Sequence, residues 1–187
     1  MEKKIIIGLV GQIACGKGVM KKYLIKKNYA SDYRFSTILR DVLNRLGVEI
    51  NRNSLQKVST ILRQNFGEDL LAKAIAKDAK NDNSHFIVID GIRRMADVKY
   101  LKELPEFKLI SIVADKEIRY KRVLDRNENA GDDKKTIEEF EQEEMAETEE
   151  EIPTVMKNAD YEIINNSTWD KLHGQIDDIV EKIKNEK

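Results

Sequence analysis

At 187 residues with 41% hydrophobic side chains, the chain has the size of one domain and enough apolar content for a core, which excludes wholesale disorder. Thirty-three basic residues against 34 acidic ones leave a net charge of −1, so nothing global points to nucleic acid. No apolar run nears the roughly 20 residues of a membrane span, and one cysteine, Cys15, excludes an internal disulfide framework and predicts a reducing, cytoplasmic setting.

The opening Met-Glu-Lys-Lys-Ile-Ile-Ile-Gly places charge before an apolar run too short for a signal peptide. Ile5 to Val10 reads as a strand buried on both faces, as in a parallel sheet. From Lys17 the apolar residues Val19, Met20, Tyr23 and Leu24 take helical spacing up to Asn28. Tyr33-Arg34-Phe35 suits a short strand. Ile38, Leu39, Val42, Leu43 and Leu46 define a helix with Ser36 as N-cap and Gly47 past its end. Further helices run from about Asn53 through Leu55, Val58, Leu62 and Phe66, and around Leu70 to Ala79. The turn cluster Asn81-Asp82-Asn83-Ser84 precedes a buried strand, Phe86 to Asp90. A short helix carrying Val98, Leu101 and Leu104 leads to a strand from Leu109 to Val113, then a helix around Glu117 to Arg126. A last strand near Tyr161 to Asn165 leads to a closing helix. It sets Trp169, Leu172, Ile176, Ile179, Val180 and Ile183 on one face. Alternating strands and helices predict a three-layer α/β fold with a mainly parallel sheet.

Four of the nine glycines lie between residues 8 and 18. Gly11-Gln12-Ile13-Ala14-Cys15-Gly16-Lys17 has the spacing G-x-x-x-x-G-K between a predicted strand and a predicted helix, the context a phosphate-binding loop requires. Glycines let successive N–H groups converge on phosphate oxygens while the following helix turns its positive end to the same anion. Lys17 adds a full charge near the β- and γ-phosphates, and Cys15 reads as a small packing residue. Such a loop normally ends in Ser or Thr, whose hydroxyl reaches Mg²⁺. Here Gly18 and Val19 follow, so water and one carboxylate must hold the ion instead.

Gly-Lys-Gly resembles the G-K-G-T loop of adenylate kinase-like nucleoside monophosphate kinases, with Val19 where their threonine stands. The resemblance continues at Asp90-Gly91-Ile92-Arg93-Arg94, where those enzymes carry D-G-F-P-R. It implies that Asp90 orients Mg²⁺ through water, as suits an aspartate at the carboxyl end of a parallel strand. Arg93, or else Arg94, takes the place of the acceptor-phosphate arginine. Phe35-Ser36-Thr37 followed by Arg40 resembles a shortened S-T-G-D-x-L-R acceptor segment. Lysine outnumbers arginine 23 to 10, so an arginine marks a position where planar, bidentate phosphate contact is useful. Arg63 is a further candidate on that ground. Arg119, Arg122 and Arg126 share one helical face. By the resemblance Arg122 and Arg126 steady the transferring phosphate.

Residues 132 to 151 hold eleven acids and two lysines, with Thr136 before a helical stretch anchored by Phe140. By position the segment about 127–151 is the lid. Asn158 to Asn166 resembles the A-D-x-x-I-x-N close of dephospho-CoA kinases, which lies beside the adenine in that fold. Together these resemblances cover nearly the whole chain. They imply a P-loop kinase fold over residues 1–187, a three-layer α/β/α arrangement with a five-stranded parallel sheet ordered 2-3-1-4-5. They also imply a helical acceptor region about 36–80 and a lid.

The expected activity is transfer of the ATP γ-phosphate, with Mg²⁺, to a small-molecule acceptor, by preference a nucleoside or deoxynucleoside monophosphate. The expected acceptor residues are Ser36, Arg40, Arg63, Gly91 and Arg93, and the loop from Gly11 to Val19 holds the ATP phosphates. One alternative is transfer to a ribose hydroxyl, as in dephospho-CoA kinase, which benefits from a carboxylate base; Asp32 and Asp41 are candidates. Another is a nucleotide-binding regulatory module, suggested by Val19. No nucleic-acid or membrane partner is expected, and the chain is read as a monomer or homodimer.

Overall fold

The structure, a computed structural model, describes residues 3–126, 132–146 and 149–186, except the side chains of Arg52 and Arg126. Five strands form one sheet: β1 (Ile5–Val10), β2 (Ser31–Arg34), β3 (Phe86–Asp90), β4 (Phe107–Val113) and β5 (Tyr161–Ile164). Their order is β2-β3-β1-β4-β5 and every pairing is parallel. This is the three-layer fold and strand order expected above. Helices α1 (Lys17–Asn28), α2 (Phe35–Arg45), α3 (Arg52–Phe66), α4 (Leu70–Asn81) and α5 (Met95–Val98) occupy the first part of the chain. Helices α6 (Lys116–Arg126), α7 (Ile137–Glu144), α8 (Ile152–Lys157) and α9 (Trp169–Asn185) follow.

The period-two alternation of a strand explains the two cores. Ile6 and Val10 of β1 face one side, where they pack with Leu39, Leu71, Ile75, Ile89 and Val155. Ile5, Ile7 and Leu9 face the other, with Met20, Leu24, Ile110, Leu172 and Ile176. Both faces of the sheet are therefore covered, which is why β1 and β3 are buried along their whole length. All strand carboxyl ends lie on one edge, where ligands bind in such sheets.

Some local expectations need correction. Ser36 does not cap α2: β2 runs straight into the helix, extended Arg34 is the capping residue, and Ser36 lies inside the first turn. The helix before β4 stops at Val98. Leu101 and Leu104 lie in turns, where Pro105 disfavours helical geometry for the residue before it. Trp169 is 55% exposed at the start of α9 and leaves the buried stripe to Leu172, Ile176, Ile179, Val180 and Ile183. Phe66 at the end of α3 is also exposed.

Candidate active site

The β1–α1 turn supplies the centre of the site. Gly11 follows the last residue of β1, and a Cβ there would stand 2.5 Å from the Ile112 carbonyl and 2.6 Å from Cys15 Sγ. Gln12, Ile13 and Ala14 form the bend, with Ala14 at φ 57° and Cys15 N–H donating to the Gln12 carbonyl at 3.2 Å. Cys15 is buried. Gly16 has φ 106°, a conformation that side chains oppose, and its carbonyl accepts from Val19 and Met20 to start α1. Among the described residues, the N–H groups of Gly16, Lys17 and Gly18 donate to no internal acceptor. These are the orphan donors of a helix start, aligned with its positive dipole end. The Lys17 ammonium lies over the loop, donating to the Gly11 carbonyl and, at 3.0 Å, to that of Gln12. Gly18 is exposed and Val19 half-buried in the first turn of α1.

Asp90 ends β3, the strand beside β1, and is buried. Its Oδ2 accepts from Arg34 at 2.9 and 3.2 Å, and Lys21 of α1 stands 3.5 Å away. Its Oδ1 accepts from the Gly91 N–H at 2.8 Å. Burial raises the carboxyl's pKa, but the Arg34 hydrogen bond and charge, Lys21 and the Gly91 N–H outweigh it and hold it below its ordinary value. Lys21 also pairs with Asp32 at 3.0 Å. Lys21, four residues after Lys17, and Arg34 are parts of the site that sequence reasoning passed over. Helical spacing from the loop lysine was the available signal for the first. An arginine at the carboxyl end of a strand was the signal for the second.

The loop after Asp90 is shaped by Asp97. Its buried carboxylate accepts from the Arg93 and Arg94 N–H groups at 3.0 Å each and from the Arg63 guanidinium at 3.3 Å. Arg63 thus braces the loop from α3, through an anion the sequence did not flag. Gly91 sits at φ 85° beside Arg34 and Phe35. Arg93 points outward and pairs with Glu149, and Arg94 pairs with Glu68 at 3.0 Å. Arg40 is exposed on α2 and takes no part in this cluster.

The acidic segment reaches the phosphate loop. Thr136 and Glu139 form a reciprocal cap at the start of α7, and Phe140 is fully buried against Tyr120. Glu144 then accepts from Gln12 at 3.2 Å and pairs with Arg119. Arg119 is buried, donates to the Ala114 and Ile13 carbonyls at 3.0 and 3.3 Å, and lies 5.5 Å from the Phe140 ring centroid. Glu151 accepts from the Met95 N–H at 3.1 Å. Gln12, Ile13, Glu144, Glu149, Glu150 and Pro153 line a cavity of about 60 Å³ above the loop.

Arg122 turns to the loop's other side, donating to Asn165 O at 2.8 Å and lying 3.4 and 3.5 Å from the carbonyls of Cys15 and Ala14. Desolvation lowers its pKa. Arg126, the other arginine expected to meet the transferring phosphate, has a side chain outside the described residues, as do residues 127–131 and 147–148 of the expected lid.

A glycine-hinged anion loop, a strand-end aspartate and a 2-3-1-4-5 sheet define the P-loop kinase fold. A family model described as an AAA domain matches residues 7–151, and the chain belongs to that family. It is 31% identical to a UPF0200 protein of Methanosarcina barkeri over 182 residues, 96% of this chain and 95% of that one. Among solved structures it is similar to shikimate kinase from Bacteroides thetaiotaomicron. The TM-score is 0.60 and the identity 11%, with 96% of this chain and 98% of that one covered. It is also similar to dephospho-CoA kinase from Campylobacter jejuni, with TM-score 0.58, 17% identity and 96% of each chain covered. At these identities the likeness to the two kinases is one of fold. Among the described residues no helix is long and apolar enough to cross a membrane.

Proposed function

We propose that the protein is an ATP- and Mg²⁺-dependent phosphotransferase moving the γ-phosphate of ATP to a nucleoside or deoxynucleoside monophosphate. The observation that carries this reading is the Lys17 loop at the end of β1 standing one strand from Asp90, whose carboxylate is paired with Lys21 of α1 and with Arg34 of the next strand. The orphan N–H groups and Lys17 bind the donor phosphates. A phosphate acceptor needs positioning and counter-charge rather than a base, because it is already ionised at neutral pH. Arg93, Arg40, Arg63 and Gly91 are read as serving that purpose, and Arg122 and Arg126 as the arginines for the donor side. Residues 36–80 hold the acceptor and 127–151 close over it, within one cytoplasmic catalytic unit.

Among the described residues no three His, Cys, Asp or Glu side chains gather as a metal cage. One carboxylate fits Mg²⁺ nonetheless, since that ion keeps several waters and takes other ligands from the nucleotide. Asp90, already paired with two cations, suits a contact through water. Bound there, Mg²⁺ would neutralise charge on the transferring phosphoryl group.

A second reading, transfer to a hydroxyl, is favoured by Asp32. Its carboxylate is exposed at the acceptor edge and linked to Asp90 through Lys21. The discriminating experiment incubates the protein and MgATP with nucleoside monophosphates, deoxynucleoside monophosphates and dephospho-CoA while ADP is followed. ADP formation with monophosphates is expected. ADP with dephospho-CoA alone favours the second reading, and ATP binding without acceptor-stimulated turnover would leave a regulatory module. Lys17→Ala should abolish ATP binding with the fold retained.

A further inference from the structure

The carbonyl of Cys15 is held from two directions. Asn165 Nδ2 donates to it at 2.8 Å, and Arg122 Nη1 lies 3.4 Å away. Asn165 is itself fixed: it is buried, its N–H donates to the Val113 carbonyl at 2.7 Å, and its own carbonyl accepts from Arg122 at 2.8 Å. The turn after β5 and helix α6 therefore converge on one peptide of the phosphate loop.

That peptide is trans and planar, so its N–H points opposite to its C=O. The carbonyl belongs to Cys15 and the N–H to Gly16, one of the donors that find no internal acceptor among the described residues. Fixing the carbonyl against Asn165 and Arg122 aims the Gly16 N–H into the hollow of the loop. A rotated peptide would present an oxygen there, and a carbonyl oxygen repels phosphate. Gly16 has a φ of 106°, and glycine, which tolerates either sign of φ, puts no side chain in the way of such a rotation. A Cβ on Gly16 would strike Asn165 Nδ2, so the glycine and the asparagine are sterically matched as well.

We infer that Asn165, backed by Arg122, is a positioning residue that sets the orientation of the Cys15–Gly16 peptide and so keeps the Gly16 N–H available to phosphate. This rests on the reading that the loop binds nucleotide phosphates. It assigns Arg122 to the loop's carbonyl side rather than to the transferring group.

The test uses Asn165→Ala, which removes the donor, and Asn165→Asp, which keeps the shape and the Arg122 partnership but puts an oxygen where Nδ2 donates. Two measurements are made on each: the Gly16 amide and Cys15 carbonyl resonances without added phosphate, and the affinities for tripolyphosphate and MgATP. Ile75→Val, a mild truncation in the opposite core, serves as the control for lost stability. Both Asn165 variants should move the two resonances and weaken both anions by about tenfold. The control should lower Tm alone. Unmoved resonances, or moved resonances with wild-type affinity, would overturn the inference. If the resonances move but the wild-type protein binds neither anion, the peptide positioning stands and the phosphotransferase reading falls.

Discussion

Arg34 and Asp90 are register partners at the carboxyl ends of β2 and β3, with guanidinium Nη2 2.9 Å from the carboxylate Oδ2. The arginine side chain is half-exposed and the aspartate is buried, so the pair lies between a surface ion pair and a core one. Asp90 has its pKa held down in the folded state, so its pairing contributes stability above the unfolded carboxylate value, roughly pH 4. That contribution is lost as pH falls through the folded value. Arg34→Ala should leave burial unopposed by its strongest partner. The Asp90 carboxyl then titrates higher, as a carboxyl-carbon NMR titration would read, and stability falls by about 1–2 kcal/mol at neutral pH. An unmoved titration would contradict the pairing.

The two glycines flanking Lys17 should respond oppositely to alanine. Gly18 lies in the first turn of α1 with open space where a methyl group would stand, no atom coming within 4 Å, so Gly18→Ala should stabilise by about 0.5–1 kcal/mol. Gly16→Ala meets both the strained φ and Asn165, and should cost at least about 1–2 kcal/mol with loss of ATP binding. Thermal melts of the two variants would show the contrast directly.

Glu144 and Glu149 tie the acidic segment to Arg119 and Arg93, and with Glu150 they bring carboxylates to the cavity above the loop. Phosphate entering there must displace or repel them. Glu149→Gln should therefore raise MgATP affinity, by no more than about fivefold because Arg93 is half-exposed. It should also speed hydrogen exchange in α7 and α8. Calorimetry showing weaker binding would mean that Glu149 supports the bound state instead.

Val19→Thr exchanges a methyl for a hydroxyl at nearly constant volume on a half-buried helical position. The added oxygen should lower the Mg²⁺ concentration needed for half-maximal ATP turnover while leaving Tm nearly unchanged. An unaltered Mg²⁺ requirement would show that residue 19 does not face the ion.

Near pH 2 a second acid group matters. Burial raises the Asp82 pKa, but the hydroxyls of Ser31, Ser84 and Tyr33 and the Ser84 N–H outweigh it and bring it to about 2. Its stabilising contribution should thus be complete above the unfolded carboxylate value, roughly pH 4, and be lost as pH falls from there through about 2, an acid limb that Asp82→Asn removes from the Tm–pH curve.

The sheet was legible because burial on both faces leaves an unmistakable apolar run, as in Ile5 to Val10 and Phe86 to Asp90. The phosphate loop was legible because its backbone demands glycine at fixed spacing. Arg34, Lys21 and Asp97 were not, since their roles arise from neighbours distant in sequence: Arg34 meets Asp90 only through strand pairing, and Asp97 meets Arg63 only across α3. Arg119 shares its predicted helical face with Arg122 and Arg126. Periodicity cannot say which of three arginines turns inward. Asn165 lay in a recognised C-terminal pattern, but its contact with Cys15 spans 150 residues.

Trp169, the chain's one tryptophan, stands exposed at the head of α9, four residues beyond Asn165. The molecule thereby carries its own optical probe beside the turn that grips the phosphate loop. Its indole emission reports solvent access at that one place without any label. Titrations of ATP, ADP or tripolyphosphate can be followed on the unmodified protein, with Trp169→Phe as the silent control.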